Sequence, residues 1–459
     1  MNAQRVLALA AACWLAAPAG ADRPPRATRE TPVVRAYRKA RPAVVNISAQ
    51  TLVPAQMGMF GDAWDDIFGG SLSRRVPAES LGSGFVIHAD GYVLTNAHVV
   101  RRAEKITVQM SDKTAYEARV LSADTKRDLA VLKLDLPAGV TLPALPLGRS
   151  DDLMVGETVI AVGNPFGLAN TLTTGIVSAL DRTLDFGRAG RYAGLIQTDA
   201  PINPGNSGGP VLNIHGEVIG LSTAIRADAQ NIGFAIPIDA AAETLRDLLN
   251  FERIHRLVFG ADVVQKHTDT GDELVVSAVR AGTPAHGKLL PGDRLVSLNG
   301  LVVRQIPDFF CAMLAVRGGE EVKLAVRRGG KELAVFVTVR QRPRPDGRAL
   351  AQALLGLTLR PVTRELRQSL SLPVSQGLAV VALDAEGPAE RIGLKPKDVV
   401  FQLDRLYVKD LDDLGSVLED VAPGERLLIG IVRGNVRAWV EIPTRTAEQI
   451  KALEKKGNP

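Results

Sequence analysis

The sequence predicts a mainly β protein in which a long strand-rich region is followed by two copies of one small α/β module. Three observations lead there. Short apolar stretches alternate with turn residues from Gly82 to Pro237, the pattern of an all-β barrel or sandwich. The chain carries 43 glycines and 27 prolines but only 4% aromatic residues, a composition suited to many turns. In the C-terminal part, one block of sequence occurs twice, which marks a duplicated unit. At 459 residues the chain exceeds what one core holds, and 46% hydrophobic residues suffice for several. The formal charge of +5, from 55 basic and 50 acidic residues, is small for this length. No basic run with interleaved aromatics occurs, so nucleic-acid binding is not expected.

Taken in order, the chain starts with an export signal over residues 1–21: Arg5, the alanine-rich apolar run Val6 to Ala17, and the small residues Ala19, Gly20 and Ala21. The run is too short to span a bilayer, and no later stretch is long and apolar enough to do so. Cys13 follows three alanines, as a lipoprotein acceptor would, but the usual leucine three residues earlier is missing. With the signal removed, Cys311 stands alone in the apolar run Phe309 to Leu314 and is expected to be buried filler rather than a reactive thiol. Residues 22–31 read as a flexible leader. Thr31 as N-cap and Pro32 at the first helical position predict a short helix to Ala40, and Ala43 to Ser48 the first strand. Between Pro54 and Glu79 the pattern dissolves into Met57, Met59, Phe60, Trp64 and Phe68 among glycines and aspartates. This long loop either merely connects, or contacts a neighbouring subunit or covers a cleft.

Strands are expected at Gly84 to Ile87, Tyr92 to Thr95, Ile106 to Met110, Tyr116 to Leu121, Leu129 to Leu134, Glu157 to Gly163, Thr174 to Ala179, Pro210 to Leu212 and Val218 to Ser222. Asn164 to Gly167 is a turn, and Ile238 to Phe251 has the periodicity of a closing helix. Further on, Val275 to Val279, Gly282 to Ala285 and Leu290 to Val296 are echoed by Ala379 to Leu383, Gly387 to Ala389 and Leu394 to Val400. An Arg- and Pro-rich stretch, Gln341 to Arg348, separates the copies.

The chemistry centres on Gly205-Asn206-Ser207-Gly208-Gly209-Pro210. A serine between glycines at a tight turn exposes its hydroxyl and lets backbone N–H groups converge where an oxyanion would form. Such a serine needs a base and an acid that orients the base. His98, in Thr95-Asn96-Ala97-His98-Val99-Val100, lies just past a strand end, and Asp128 opens the run Leu129 to Leu134. Taken singly, His98 and Asp128 also suit structural roles at strand ends. His88, His215, His255, His267 and His286 sit in no motif and read as surface or turn residues without metal-ligand spacing, so no metal or other cofactor is expected. No GxxxxGK phosphate loop is present.

These motifs in this order, followed by Ile232 to Pro237 and the two modules, resemble the HtrA/DegP/DegQ family of periplasmic serine endopeptidases with two PDZ domains. The resemblance implies a chymotrypsin/trypsin-like double β-barrel protease domain over residues 32–252. PDZ domains would cover 253–342 and 352–446, with a linker at 343–351 and a tail at 447–459. It makes Ser207 the nucleophile, His98 the proton carrier and Asp128 its orienting acid, with the N–H groups of Gly205 and Ser207 as oxyanion hole. Pro201 takes the place at the base of the specificity pocket where an aspartate would select Lys or Arg. With Ile202, Ile232, Phe234 and Ile236 nearby, cleavage after small or aliphatic residues is implied.

PDZ domains capture peptide C-termini by strand addition and by holding the carboxylate on backbone N–H groups. The corresponding loops are Phe259-Gly260-Ala261, where Asp262 would oppose an anion, and Leu355-Gly356-Leu357. The second copy departs at Lys397 (Gly292 in the first) and at Leu403 to Arg405 (Leu298 to Gly300), so each copy is a receptor or a spacer. The implied activity is ATP-independent degradation of unfolded or misfolded envelope proteins by a homotrimer or larger homo-oligomer in the periplasm. A peptide-binding chaperone with a resting protease domain is the alternative, decided by the loops Thr183 to Arg191 and Ala224 to Asn231. An esterase would use the same three side chains.

Overall fold

The computed structural model describes residues 29–54, 75–101, 103, 105–164, 171–185, 191–202, 205–225, 232–268, 271–372, 374–404, 406–434 and 436–456. The expected export signal, most of the leader, the middle of the loop after Pro54, the turn at Pro165 to Gly167, most of the 183–191 and 224–231 loops and the end of the tail lie outside these residues. The chain divides into two units, residues 1–340 and 341–459. Among the described residues no helix is long and apolar enough to cross a membrane.

The first unit begins with helix α1 (Pro32–Ala40), whose N-terminus is capped as expected: the Thr31 hydroxyl accepts the Val34 N–H at 3.3 Å. Six strands then close a barrel: β1 (Val44–Pro54), β2 (Arg75–His88), β3 (Tyr92–Thr95), β4 (Lys105–Gln109), β5 (Ala115–Asp124) and β6 (Leu129–Leu134), in the order β1-β2-β3-β6-β5-β4. A second barrel repeats that topology as β7-β8-β9-β12-β11-β10, from β7 (Thr158–Gly163), β8 (Thr171–Asp185), β9 (Arg191–Thr198), β10 (Pro210–Leu212), β11 (Val218–Ile225) and β12 (Gly233–Pro237). Closure leaves no sheet edge to solvent. Helix α2 (Ile238–Leu248) buries Ile238, Ala241, Leu245 and Leu248, one apolar stripe at helical spacing, and packs on β5, β6, β11 and β12.

One expectation changes here and two strands are added. The ends of the loop expected from Pro54 to Glu79 are arms of a hairpin, because β1 and β2 stay paired from Val44 opposite Phe85 to Pro54 opposite Arg75. Strand β9 carries no clear alternation in its sequence, since Arg191, Gly194 and Gln197 interrupt the apolar residues. β12 is buried from Gly233 to Ile236 because it pairs with β11 on one side and β9 on the other.

The first PDZ module completes this unit: a sheet running from the edge strand Ala261–Thr268 through Gly271–Val279, Arg294–Leu298 and Glu321–Arg328 to Lys331–Thr338, with helix Ile306–Met313 packed on α2 and β2. Cys311 is free and fully buried, as expected. The second unit repeats the sheet with Leu357–Pro361, Leu378–Leu383, Val399–Leu403, Arg426–Arg433 and Val436–Pro443. The duplication extends to buried charge: Asp293 pairs with Arg328 at 2.6 Å, and Asp398 with Arg433 at 2.6 Å. A carboxylate buried to 1% exposure needs such a partner. Burial alone would raise the Asp293 pKa, but Arg328 and the Leu290 N–H outweigh it and hold it below the usual value. Lys397 leaves the fold intact, since its φ of 78° keeps the left-handed turn that Gly292 makes at 92°.

Candidate active site

Asp128 sits at the turn into β6 with φ of 55°, a left-handed conformation that aspartate tolerates, and the Asn96 side chain donates to its carbonyl at 2.9 Å. Its carboxylate is buried and fully engaged. Oδ1 accepts the backbone N–H of His98 at 2.9 Å, and Oδ2 lies 2.8 Å from His98 Nδ1 and 3.0 Å from the donating Thr223 hydroxyl. An ionised carboxylate only accepts, so Nδ1 carries the proton and Nε2 is left as the basic nitrogen. His98 is in the single turn Ala97–Val100 after β3, and Thr223 is on β11, so groups from both barrels hold the acid. The β-bulge between Ser222 and Ala224 makes Thr223 the extra residue and lets neighbouring side chains serve two targets.

The second target is the serine loop. The Ser222 hydroxyl donates to the Asn206 carbonyl at 2.6 Å, which also accepts the Gly209 N–H at 2.8 Å. The planar trans peptide then aims the Ser207 N–H the opposite way. From the first barrel, Ser83 clasps the loop. Its N–H donates to the Ser207 carbonyl at 2.9 Å, and its hydroxyl donates to the Gly205 carbonyl at 2.6 Å while accepting the Asn164 N–H at 2.8 Å. The clasp explains a glycine: a Cβ on Gly208, at φ of 83°, would lie 2.3 Å from the Ser83 carbonyl oxygen. Among the described residues, neither the Gly205 nor the Ser207 N–H donates to a protein acceptor, and the Ser207 hydroxyl makes no hydrogen bond to the His98 ring.

The pocket candidates divide between two faces. Ile202 packs over Gly233 and joins Ala235 in the small core of the second barrel, whereas Phe234 and Ile236, alternating with Ala235, belong to the larger core. Ile232 is half-buried against that larger core, and Pro201 is exposed with its carbonyl accepting the Thr173 hydroxyl at 2.8 Å. The five residues therefore do not line one surface.

The PDZ loops also differ from expectation. The N–H groups of Phe259 and Gly260 both donate to Glu252 Oε1, at 2.6 and 2.8 Å, and Asp262 is neutralised by Arg280 at 2.6 Å; Ala261 is buried at the start of the edge strand. In the second copy, a helix Gly347–Leu355 occupies much of the expected linker and runs into the Leu355-Gly356-Leu357 loop. Gly356 is its left-handed C-cap, and its N–H donates to the Gln352 carbonyl at 3.1 Å, so it is not free for a ligand. Asp346, which caps the helix N-terminus, and Gly356 were both readable signals, obscured by the neighbouring prolines and arginines.

His267 is another correction. Rather than lying at the surface, it bridges Asp272, 2.6 Å from Nδ1, and Asp239 of α2, 3.1 Å from Nε2. Ser83, Ser222 and Thr223 were missed altogether. A serine between Gly82 and Gly84 was a faint hint for the first; nothing in the sequence marked the others.

Residues 82–221 match the trypsin-like peptidase domain, and residues 258–339 and 353–444 each match the PDZ domain. A probable periplasmic serine endoprotease DegP-like from Pseudomonas putida is 33% identical over 434 residues, which covers 86% of this chain and 89% of that protein. The chain belongs to the DegP-like serine endoproteases. Another such endoprotease, from Hahella chejuensis, is 35% identical over 435 residues, covering 88% of this chain and 91% of that protein. A solved structure, the HtrA-type protease AlgW with decapeptide, is 34% identical, covers 68% of this chain and 99% of that one, and has a TM-score of 0.40. This DegP-like protein is a serine endopeptidase; its relatives are named as endoproteases, which favours proteolysis over an idle peptide-binding scaffold.

Proposed function

We propose that Ser207, His98 and Asp128 are the catalytic groups of this endopeptidase, acting on locally unfolded polypeptides after export to the periplasm. The observation that carries the assignment is the buried Asp128 carboxylate, which takes His98 by both its backbone N–H and Nδ1 beside a serine loop held open by Ser83 and Ser222. Substrate binding closes Ser207 Oγ onto His98 Nε2. Oγ then attacks the peptide carbonyl as its proton passes to Nε2, and Asp128 stabilises the resulting imidazolium. The oxyanion is received by the Gly205 and Ser207 N–H groups, each donor contributing on the order of 3–4 kcal/mol. His98 next gives its proton to the leaving amine, and water repeats the sequence to release the acyl group.

Pro201 in place of an anion disfavours cleavage after Lys or Arg, which leaves small or aliphatic residues as the proposed preference. An extended backbone must enter between the barrels, so folded proteins are poor substrates, and nucleotide takes no part. The module at 253–342 captures peptide C-termini, the Gly356 N–H of the second being taken by its own helix, and the N-terminal segment with the β1–β2 connection joins copies of the chain into a trimer or larger assembly.

The test is cleavage of a reduced, unfolded protein such as casein across temperature by the wild type and by Ser207→Ala. Cleavage by the wild type alone is expected, with cut sites that report the pocket. Equal cleavage by the variant, or cuts mainly after Lys and Arg, would refute the serine or the pocket assignment respectively.

A further inference from the structure

The two N–H groups that a peptide's terminal carboxylate would use on the first PDZ module already hold a carboxylate of the chain itself. Glu252 Oε1 accepts from Phe259 at 2.6 Å and from Gly260 at 2.8 Å, and its Oε2 is paired with Arg280. Charge-assisted bonds of this kind are stronger than neutral ones. The preceding residue supplies what an apolar terminal side chain would supply. Phe251 is 3% exposed, with its ring centroid 6.1 Å from Phe259 of the loop and 6.3 and 6.1 Å from Phe309 and Phe310 of helix Ile306–Met313. The short helix Phe251–Ile254, capped by the Asn250 side chain, presents the two residues together. Beside them Ala261–Thr268 is the edge strand of the sheet, where a peptide strand would add.

The second copy shows that this is no general feature of the duplicated unit. Arg280 and Asp384 hold matching places, each donating its N–H to the loop glycine's carbonyl, at 2.8 Å to Gly260 and 2.9 Å to Gly356. The charge at that place is thus inverted between the copies. In the second, the Gly356 N–H is satisfied by a helix carbonyl rather than by a carboxylate. Among the described residues, the first copy alone pairs a loop-bound anion with a cation at this place.

We propose that Phe251 and Glu252 form a tethered pseudo-ligand in the terminal-residue site of the first PDZ module. A peptide with an apolar last residue and a free carboxylate binds there by displacing them. This rests on the reading of the module as a C-terminal peptide receptor. A tethered competitor acts at an effective concentration in the millimolar range, enough to suppress a micromolar ligand strongly. Displacement also frees the segment that directly follows α2, which packs on the strands that flank Asp128 and carry Thr223. Arrival of a peptide is thereby linked to the support of the acid.

The experiment uses the full chain carrying Ser207→Ala, so that peptide is bound and not cut. A labelled short peptide ending in Phe, as free acid and as amide, is titrated by fluorescence anisotropy into three proteins: Glu252 unchanged, Glu252→Ala and Glu252→Gln. The acid peptide is expected to bind Glu252→Ala on the order of tenfold or more tighter than the unchanged protein, with the amide unaffected. Glu252→Gln, which keeps the shape and one acceptor, falls between. Equal affinity of the acid peptide for all three overturns the occupancy while terminal capture stands. Weaker binding by Glu252→Ala, with Glu252→Gln like the unchanged protein, overturns it in favour of a structural role. No preference for acid over amide in any protein refutes terminal capture, and the proposal with it.

Discussion

Replacing Ser83 by alanine tests whether the first barrel holds the serine loop in working shape. The substitution keeps the backbone bond from Ser83 to the Ser207 carbonyl and removes the hydroxyl that links Asn164 N–H to the Gly205 carbonyl. Two terms follow. The Asn164 N–H is left buried without an acceptor, at a cost of about 1–3 kcal/mol, and the bond to Gly205 is lost, at about 0.5–1.5 kcal/mol. Together they amount to about 2–4 kcal/mol, or a fall in midpoint of about 5–15 °C for a domain of this size. Catalysis should suffer separately, because the freed Gly205 carbonyl lets its peptide plane rotate beside the oxyanion donors. A drop in kcat/KM of about 10- to 100-fold is expected, short of the 10²–10³ seen when a donor is removed outright. Calorimetry of the full chain, with peptide hydrolysis measured well below the lowered midpoint, separates the two effects. If kcat/KM stays within about twofold of wild type where the variant is fully folded, the loop keeps its shape without the clasp and the reasoning fails.

Other outcomes follow from the same geometry. Gly208→Ala must abolish activity and cost about 3 kcal/mol or more, since the methyl would meet the Ser83 carbonyl at 2.3 Å in a backbone already at φ of 83°; a stable, active variant by thermal melt and hydrolysis would show that the loop relaxes. Thr223→Val keeps the shape but removes one donor to the buried Asp128 carboxylate, worth about 1.5–3 kcal/mol, and should lower kcat about tenfold with little change in KM. For His267, burial alone would lower the pKa, but the Asp272 and Asp239 carboxylates more than offset it and raise it above the ordinary 6.5. Asp151 also feels this histidine's charge. A raised folded-state pKa contributes stability that is complete below about 6.5 and is lost as pH rises through the folded value. The midpoint difference between wild type and His267→Gln should therefore be largest below about pH 6.5 and shrink as the pH rises above it; a pH-independent difference would exclude the charged bridge.

The sequence by itself determined the strand-rich class and the duplicated module, and it singled out the three side chains proposed as catalytic. These are properties of local spacing: a serine among glycines, a histidine past a strand end, an aspartate opening an apolar run. It also marked Thr31 as a cap and Cys311 as buried, since each depends on immediate neighbours.

The tertiary structure alone decided what holds the proposed catalytic groups and what contacts the PDZ loops. Ser83 meets Gly205 across 122 positions of sequence, and Thr223 meets Asp128 across 95, contacts made by barrel closure and a bulge that no local pattern encodes. The extended hairpin from β1 to β2, the burial of β12 and the His267 bridge arise in the same way, from pairing and packing with distant segments. Glu252 is the clearest case. In the sequence it is one acidic residue between Phe251 and Arg253, and its contacts arise because the chain folds back to set that carboxylate on two N–H groups beside Arg280. Spacing identifies side chains that do chemistry, whereas the partners that orient or occupy them are chosen by three-dimensional proximity, which a linear pattern does not carry.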